Sequence, residues 1–159
     1  MGLDATVYCN CFERARLKEP PPCPTLVSIS ADGSLCCQSE DLKTQLSFDQ
    51  WLLHRACEHA NGVLLSHHVG NLAQVGLLRS ELEGQERLFP IVLAKILYSG
   101  THAGDYLSLE DVRNLQNELE HLASFVCSRE KNQESVDWFR QQMKELAEAA
   151  LHVSKPISF

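Results

Sequence analysis

Two apolar stripes at helical spacing occupy the last third of the chain and dictate what everything before them must pack against. Leu109, Val112, Leu115, Leu119, Leu122 and Val126 form one; Val136, Phe139, Met143, Leu146, Ala147 and Ala150 form the other. Steps of three and four residues bring side chains to one face of an α-helix. Ser108 sits in the cap position of the first, with Glu110 and Asp111 in its opening turn, where carboxylates favour the helix dipole. His121 falls off that stripe and is expected in solvent. Trp138 lies about 100° of helical rotation from Phe139, beside Gln141, Gln142 and Glu145. A large aromatic on a polar face suits an interaction anchor, and equally a cover for the proline-rich segment or a neighbouring helix.

Upstream, Ser47-Phe-Asp-Gln50 matches a capping box, so a helix is expected from Ser47 to about Asn61-Gly62. Asn71 precedes another helix with Leu72, Val75, Leu78 and Leu82 on its stripe. Residues 90 to 98 are apolar nearly all round, starting at Pro90 and stopping before Gly100, which places that helix centrally. The N-terminal quarter reads differently. Residues 3 to 9 are β-prone, and Leu26–Ser30 with Leu35–Gln38 flank Asp32-Gly33 as a hairpin. Pro20, Pro21, Pro22 and Pro24 make the intervening stretch stiff and extended. The expectation is one α+β domain over residues 1–159, with a small antiparallel sheet of three to four strands and about five mostly C-terminal helices. Residues 1–46 are β-rich, 47–152 helical, and 153–159 an extended segment that adds an edge strand.

A net charge of −7 repels polyanions, and Arg14, Arg16 and Lys18 alone are a poor nucleic-acid footprint. No apolar run approaches the roughly 20 residues that span a bilayer. With seven cysteines in no disulfide-like spacing and no export signal, reduced thiols in a cytoplasm are expected.

Two short segments carry titratable chemistry. In Ser99-Gly-Thr-His-Ala-Gly-Asp-Tyr106, His102 and Asp105 lie close to Gly100 and Gly104, and a carboxylate there can orient an imidazole that titrates near neutral pH. In Ser66-His-His-Val-Gly-Asn71, His67 and His68 precede Gly70 and the capping Asn71, whose helix start can hold an anion. Gly100, Gly104, Gly70 and Asn71 are the candidate ligand-binding positions. The same residues also suit tight turns that satisfy their own backbone. A nucleophilic site would draw on Cys9 or Cys11 with His102 or His68 and Asp105 or Asn71. Serine-elbow, Walker, zincin and dinucleotide fingerprints are absent, which leans away from an enzyme. No motif demands a cofactor. Zinc is the alternative: Cys9 and Cys11 share a strand face, and His67, His68 or His102 would complete a tetrahedral set.

The opening Met-Gly-Leu-Asp-Ala-Thr-Val-Tyr-Cys-Asn-Cys, His68-Val-Gly-Asn71 and Gly100-Thr-His-Ala-Gly-Asp105 together resemble a family of small uncharacterised bacterial proteins, which implies no particular activity. Size and acidity are also similar to those of immunity proteins. The leading expectation is a non-enzymatic interaction protein with an acidic surface and a basic protein partner, a homodimer being a further option. The alternative is a small hydrolase or a metal- or anion-binding protein using the His, Asp and Cys residues above.

Overall fold

The computed structural model describes residues 2–100 and 104–159. Strand β1 (Gly2–Tyr8) alternates as a half-buried strand should, with Leu3, Ala5 and Val7 buried on one face and Asp4 exposed on the other. It pairs antiparallel with β4 (Val63–Asn71) on one side and β6 (Ile157–Ser158) on the other. β6 in turn pairs with β5 (Tyr106–Leu107), giving a four-stranded antiparallel sheet of order β4-β1-β6-β5. A separate hairpin joins β2 (Val27–Ile29) and β3 (Leu35–Cys37). The α+β architecture with mostly C-terminal helices is therefore present.

Helices α2 (Leu72–Glu81), α3 (Leu109–Ala123) and α4 (Gln133–Val153) cover the buried face of the main sheet. All six apolar positions expected on α4 are buried, as are Val112, Leu115, Leu119 and Leu122 of α3. Val126 is 82% exposed, because α3 stops at Ala123 and the stripe ends with it. Ser108 and Asp111 form a reciprocal cap, and His121 is exposed as expected. The apolar run after Pro90 winds into a π-helical turn (Val92–Ile96) closed by the Leu97 amide donating to the Val92 carbonyl at 2.8 Å. Phe89, Ile91, Val92, Ile96 and Leu97 are buried there, and the buried Glu118 accepts hydrogen bonds from the Ile91 and Val92 amides at 2.9 Å each.

Residues 10–62, between β1 and β4, leave the sheet and build a lobe of their own. It holds the proline-rich segment, the hairpin and α1 (Leu42–His54), around a small core of Cys23, Phe48, Trp51 and Ala56. The Trp51 indole N–H donates to the Glu19 carbonyl at 3.0 Å, anchoring the proline segment to α1. The hairpin turn is held to the main domain by the buried Lys155, whose Nζ donates to the Gly33 carbonyl at 3.0 Å and pairs with Glu13. Ser158 Oγ donates to Asp32 at 3.1 Å across the same seam.

Three expectations need correction. The first helix begins at Leu42, not Ser47, because Asp41 accepts from the Thr44 amide at 2.9 Å and caps it a turn and a half earlier. It ends at His54, so residues 55–62 are irregular instead of helical. His67 and His68 lie within β4, where Val63-Leu-Leu-Ser-His-His-Val pairs with β1; this strand, with β5, interrupts the stretch 47–152 expected to be helical. Register irregularities at Leu3/Asp4 and Val7/Tyr8 blur the alternation that would have announced it. Finally, the C-terminal segment adds an inner strand, not an edge strand.

Candidate metal centre

Tyr8 at the end of β1 pairs with Val63 at the start of β4, so the residues just outside this pairing meet at one corner of the sheet. The Cys9 amide donates to the Gly62 carbonyl at 2.7 Å and fixes that corner. Cys9 and Cys11 arrive from the β1 side; Cys57 and His59 arrive from the connection between α1 and β4. The four donor atoms, three Sγ and one imidazole nitrogen, all lie within 4.8 Å of one another.

The spacing has a specific meaning. With Zn–S of about 2.3 Å and Zn–N of about 2.0–2.1 Å, a tetrahedral ion needs S···S edges of about 3.8 Å and S···N edges of about 3.6 Å. Cys9 Sγ lies 3.8 Å from Cys57 Sγ. His59 Nδ1 lies 3.6 Å from Cys11 Sγ and 3.8 Å from Cys57 Sγ. Cys9 and Cys11 are only 9% and 7% exposed, so the site is sheltered without being sealed.

In the protein alone these thiols resist ionisation. Burial pushes Cys9 up to about 12, with the Cys11 backbone amide pulling the other way. Burial also raises Cys11, opposed by its contact with Cys9 and by the nearby Arg16 guanidinium. Three sulfurs so close cannot all carry charge unless a cation sits among them, and a bound metal deprotonates its thiol ligands outright.

The remaining described candidates do not join this cluster. His67 Nε2 pairs with Glu145 at 2.8 Å and His68 Nδ1 with Asp4 at 2.7 Å, each committed to a carboxylate away from the cysteines. Among the described residues neither belongs to a metal-ligating group. His102 lies outside the described residues. Asp105 accepts from the Tyr98 hydroxyl, and its carbonyl accepts from the Phe159 amide at 2.9 Å. Gly104 has φ +85°, and its amide donates to the Phe159 carbonyl at 3.0 Å. Gly100 lies tight against Leu72, where a Cβ would come within 2.2 Å of the Leu72 side chain. Gly70 is buried in β4. Asn71 exchanges side-chain and backbone hydrogen bonds with Gln74, which satisfies the start of α2 from within the chain. Trp138 is half-buried against the main core, beside Gln74, Glu134 and Ser135.

Of the proposed zinc donors, the structure thus keeps Cys9 and Cys11 and, among the described residues, supplies Cys57 and His59 in place of His67 and His68. Cys57-Glu-His59 is the second tight pair that a closed zinc site needs, and it stood in the sequence at the same spacing as Cys9-Asn-Cys11. Extending the first helix to Gly62 hid it, since on a helix residues two apart face different directions. No protein-family model, curated protein or solved structure matches this chain.

Proposed function

We propose that this is a non-enzymatic zinc-binding protein in which one ion, held by Cys9, Cys11, Cys57 and His59, fastens the lobe of residues 10–62 to the main sheet. The observation that carries this reading is that three of the six donor separations, at 3.6–3.8 Å, match the edges of a tetrahedral zinc polyhedron, with all four donors within 4.8 Å of one another. Three thiolates and an imidazole suit zinc better than magnesium or calcium, which take oxygen donors. Four protein donors close the coordination sphere; catalytic zinc keeps a position open for water. The lobe has reason to need such a fastening. Its core is a few side chains around Trp51, far less apolar burial than the main domain provides.

Zinc-free protein titrated with cobalt(II) tests the assignment. Stoichiometric uptake with the intense visible bands of a tetrahedral, thiolate-rich cobalt centre is expected, displaced by one equivalent of zinc. Weak octahedral absorption, or the same spectrum from His59→Ala, would remove the basis for the site.

A further inference from the structure

The lobe holds a second pair of thiols that the metal centre does not use. Cys23 lies within the proline-rich stretch, Cys37 closes β3, and their Sγ atoms are 3.2 Å apart. Both lie on the small core, against Phe48 and Trp51. No third donor joins them among the described residues, so they form no metal-ligating group. The adjacent Cys36 turns elsewhere: its Sγ is 3.1 Å from Ser28 Oγ and 3.5 Å from the Ser28 carbonyl. Two thiols in contact, with no third donor beside them among the described residues, are placed for disulfide formation. A disulfide of about 2.0 Å requires them to approach by only about 1 Å.

We propose that Cys23 and Cys37 are a reversible thiol–disulfide site, oxidised by a low-molecular-weight disulfide such as glutathione disulfide, that locks the proline-rich segment onto the hairpin. Accessibility sets the order of events. Cys37 is half-buried and Cys23 only 8% exposed, so the small disulfide reaches Cys37 first. The Cys37 thiolate attacks one sulfur of the reagent; a mixed disulfide forms and one glutathione thiolate leaves. Cys23 then gives up its proton and attacks the Cys37 sulfur, and the second glutathione leaves and takes a proton. Two protein thiols are oxidised to one disulfide, and one glutathione disulfide is reduced to two glutathiones. Burial raises the Cys23 thiol and disfavours it as the first attacker, whereas its 3.2 Å contact with Cys37 Sγ places it for the second, intramolecular step.

The site is independent of the metal centre, so the two readings can fail separately. Zinc-replete protein is incubated with glutathione disulfide, alkylated, cut after Lys18 and before Asp32 and Asp41, and analysed by mass spectrometry, with retained zinc measured in parallel. The expected product has lost two hydrogens and links residues 19–31 to residues 32–40 through Cys23 and Cys37. Cys23→Ser, lacking the resolving thiol, is expected to accumulate glutathione on Cys37 at least tenfold over wild type. A stable glutathione adduct on wild-type Cys37, a bridge between Cys36 and Cys37, or Cys23 left open to alkylation throughout would each overturn the proposal. Because the peptide map is made on wild-type protein, it decides the matter even where a variant fails to fold.

Discussion

Replacing Cys57 by Ser converts the metal's contribution to stability into a measurable difference. Apparent binding energies of structural zinc sites run to about 10–16 kcal/mol, so one donor of four carries about 3–4 kcal/mol. At about 1.4 kcal/mol per decade, that is a loss of roughly a hundred- to a thousandfold in affinity. With free zinc near a thousand times the wild-type Kd, occupancy contributes about 4 kcal/mol to folding, and the substitution removes most of it. Each kcal/mol moves Tm by about 2–4 °C in a domain of this size, so Cys57→Ser is expected to melt about 5–15 °C below wild type in zinc. The thiol's contacts with the protein itself are weak: 3.5 Å to the His59 carbonyl and 3.8 Å to Cys9 Sγ. In excess chelator, therefore, the two proteins should melt within about 3 °C of each other. Scanning calorimetry of both, with zinc and with chelator, makes the comparison. A wild-type Tm indifferent to chelator, or a gap that survives chelation, would refute the argument.

Asp32 accepts from Ser30, Ser34 and Ser158; burial works to raise its carboxyl, but these hydrogen bonds prevail and leave it below the ordinary carboxylate range. A depressed folded-state value means stability that is present above the unfolded pKa and lost as pH falls through the folded one. Asp32→Ala should cost about 1–3 kcal/mol near neutrality, and its urea denaturation curves should converge with wild type in strong acid. Glu118 runs the other way: burial raises its carboxyl against the amides of Val92 and Ile91, so its contribution improves as pH falls through its folded value. Glu118→Ala leaves both buried amides unpaired and should cost about 2–4 kcal/mol in equilibrium denaturation at neutral pH. Gly33 has φ +89°, and an added Cβ would sit 3.0 Å from Pro156 Cδ. Gly33→Ala should therefore destabilise by about 1–2 kcal/mol, with circular dichroism melts showing the loss.

What the residues announced and what they concealed follow one physical divide. Helices that bury a stripe against a core advertise it at a spacing of three and four, and α2, α3 and α4 were legible for that reason. β4 was not, because bulges shift its register and leave a pattern with no clean alternation. β5 and β6 are two residues each, too short for any period to show. Asp41 out-competes the better-looking Ser47 box as a cap, and the helix stops at His54, so its body is legible while its start and residues 55–62 are not. The metal centre is hidden the same way: Cys9 and Cys11 stand out as a pair, but a helix drawn on to Gly62 would turn Cys57 and His59 in different directions. The lesson for such chains is to match short Cys-x-Cys and Cys-x-His pairs before assigning the elements that carry them.

The strand at Ile157–Ser158, wedged between β1 and β5, has a consequence for how the protein assembles. Val7 lies opposite Leu65 on one flank and opposite Ile157 on the other. Each doubling of the intervening length costs only about 0.6 kcal/mol, so the distant partner is thermodynamically little worse than the near one. Timing separates them. On a ribosome the first flank can zip up once residue 71 has emerged, whereas the second stays open until residue 157 does. Until then Tyr106 and Leu107 lack the neighbour they bond to. Between those two events β1 carries a bare sheet margin, the period in which a holding chaperone has something to grip.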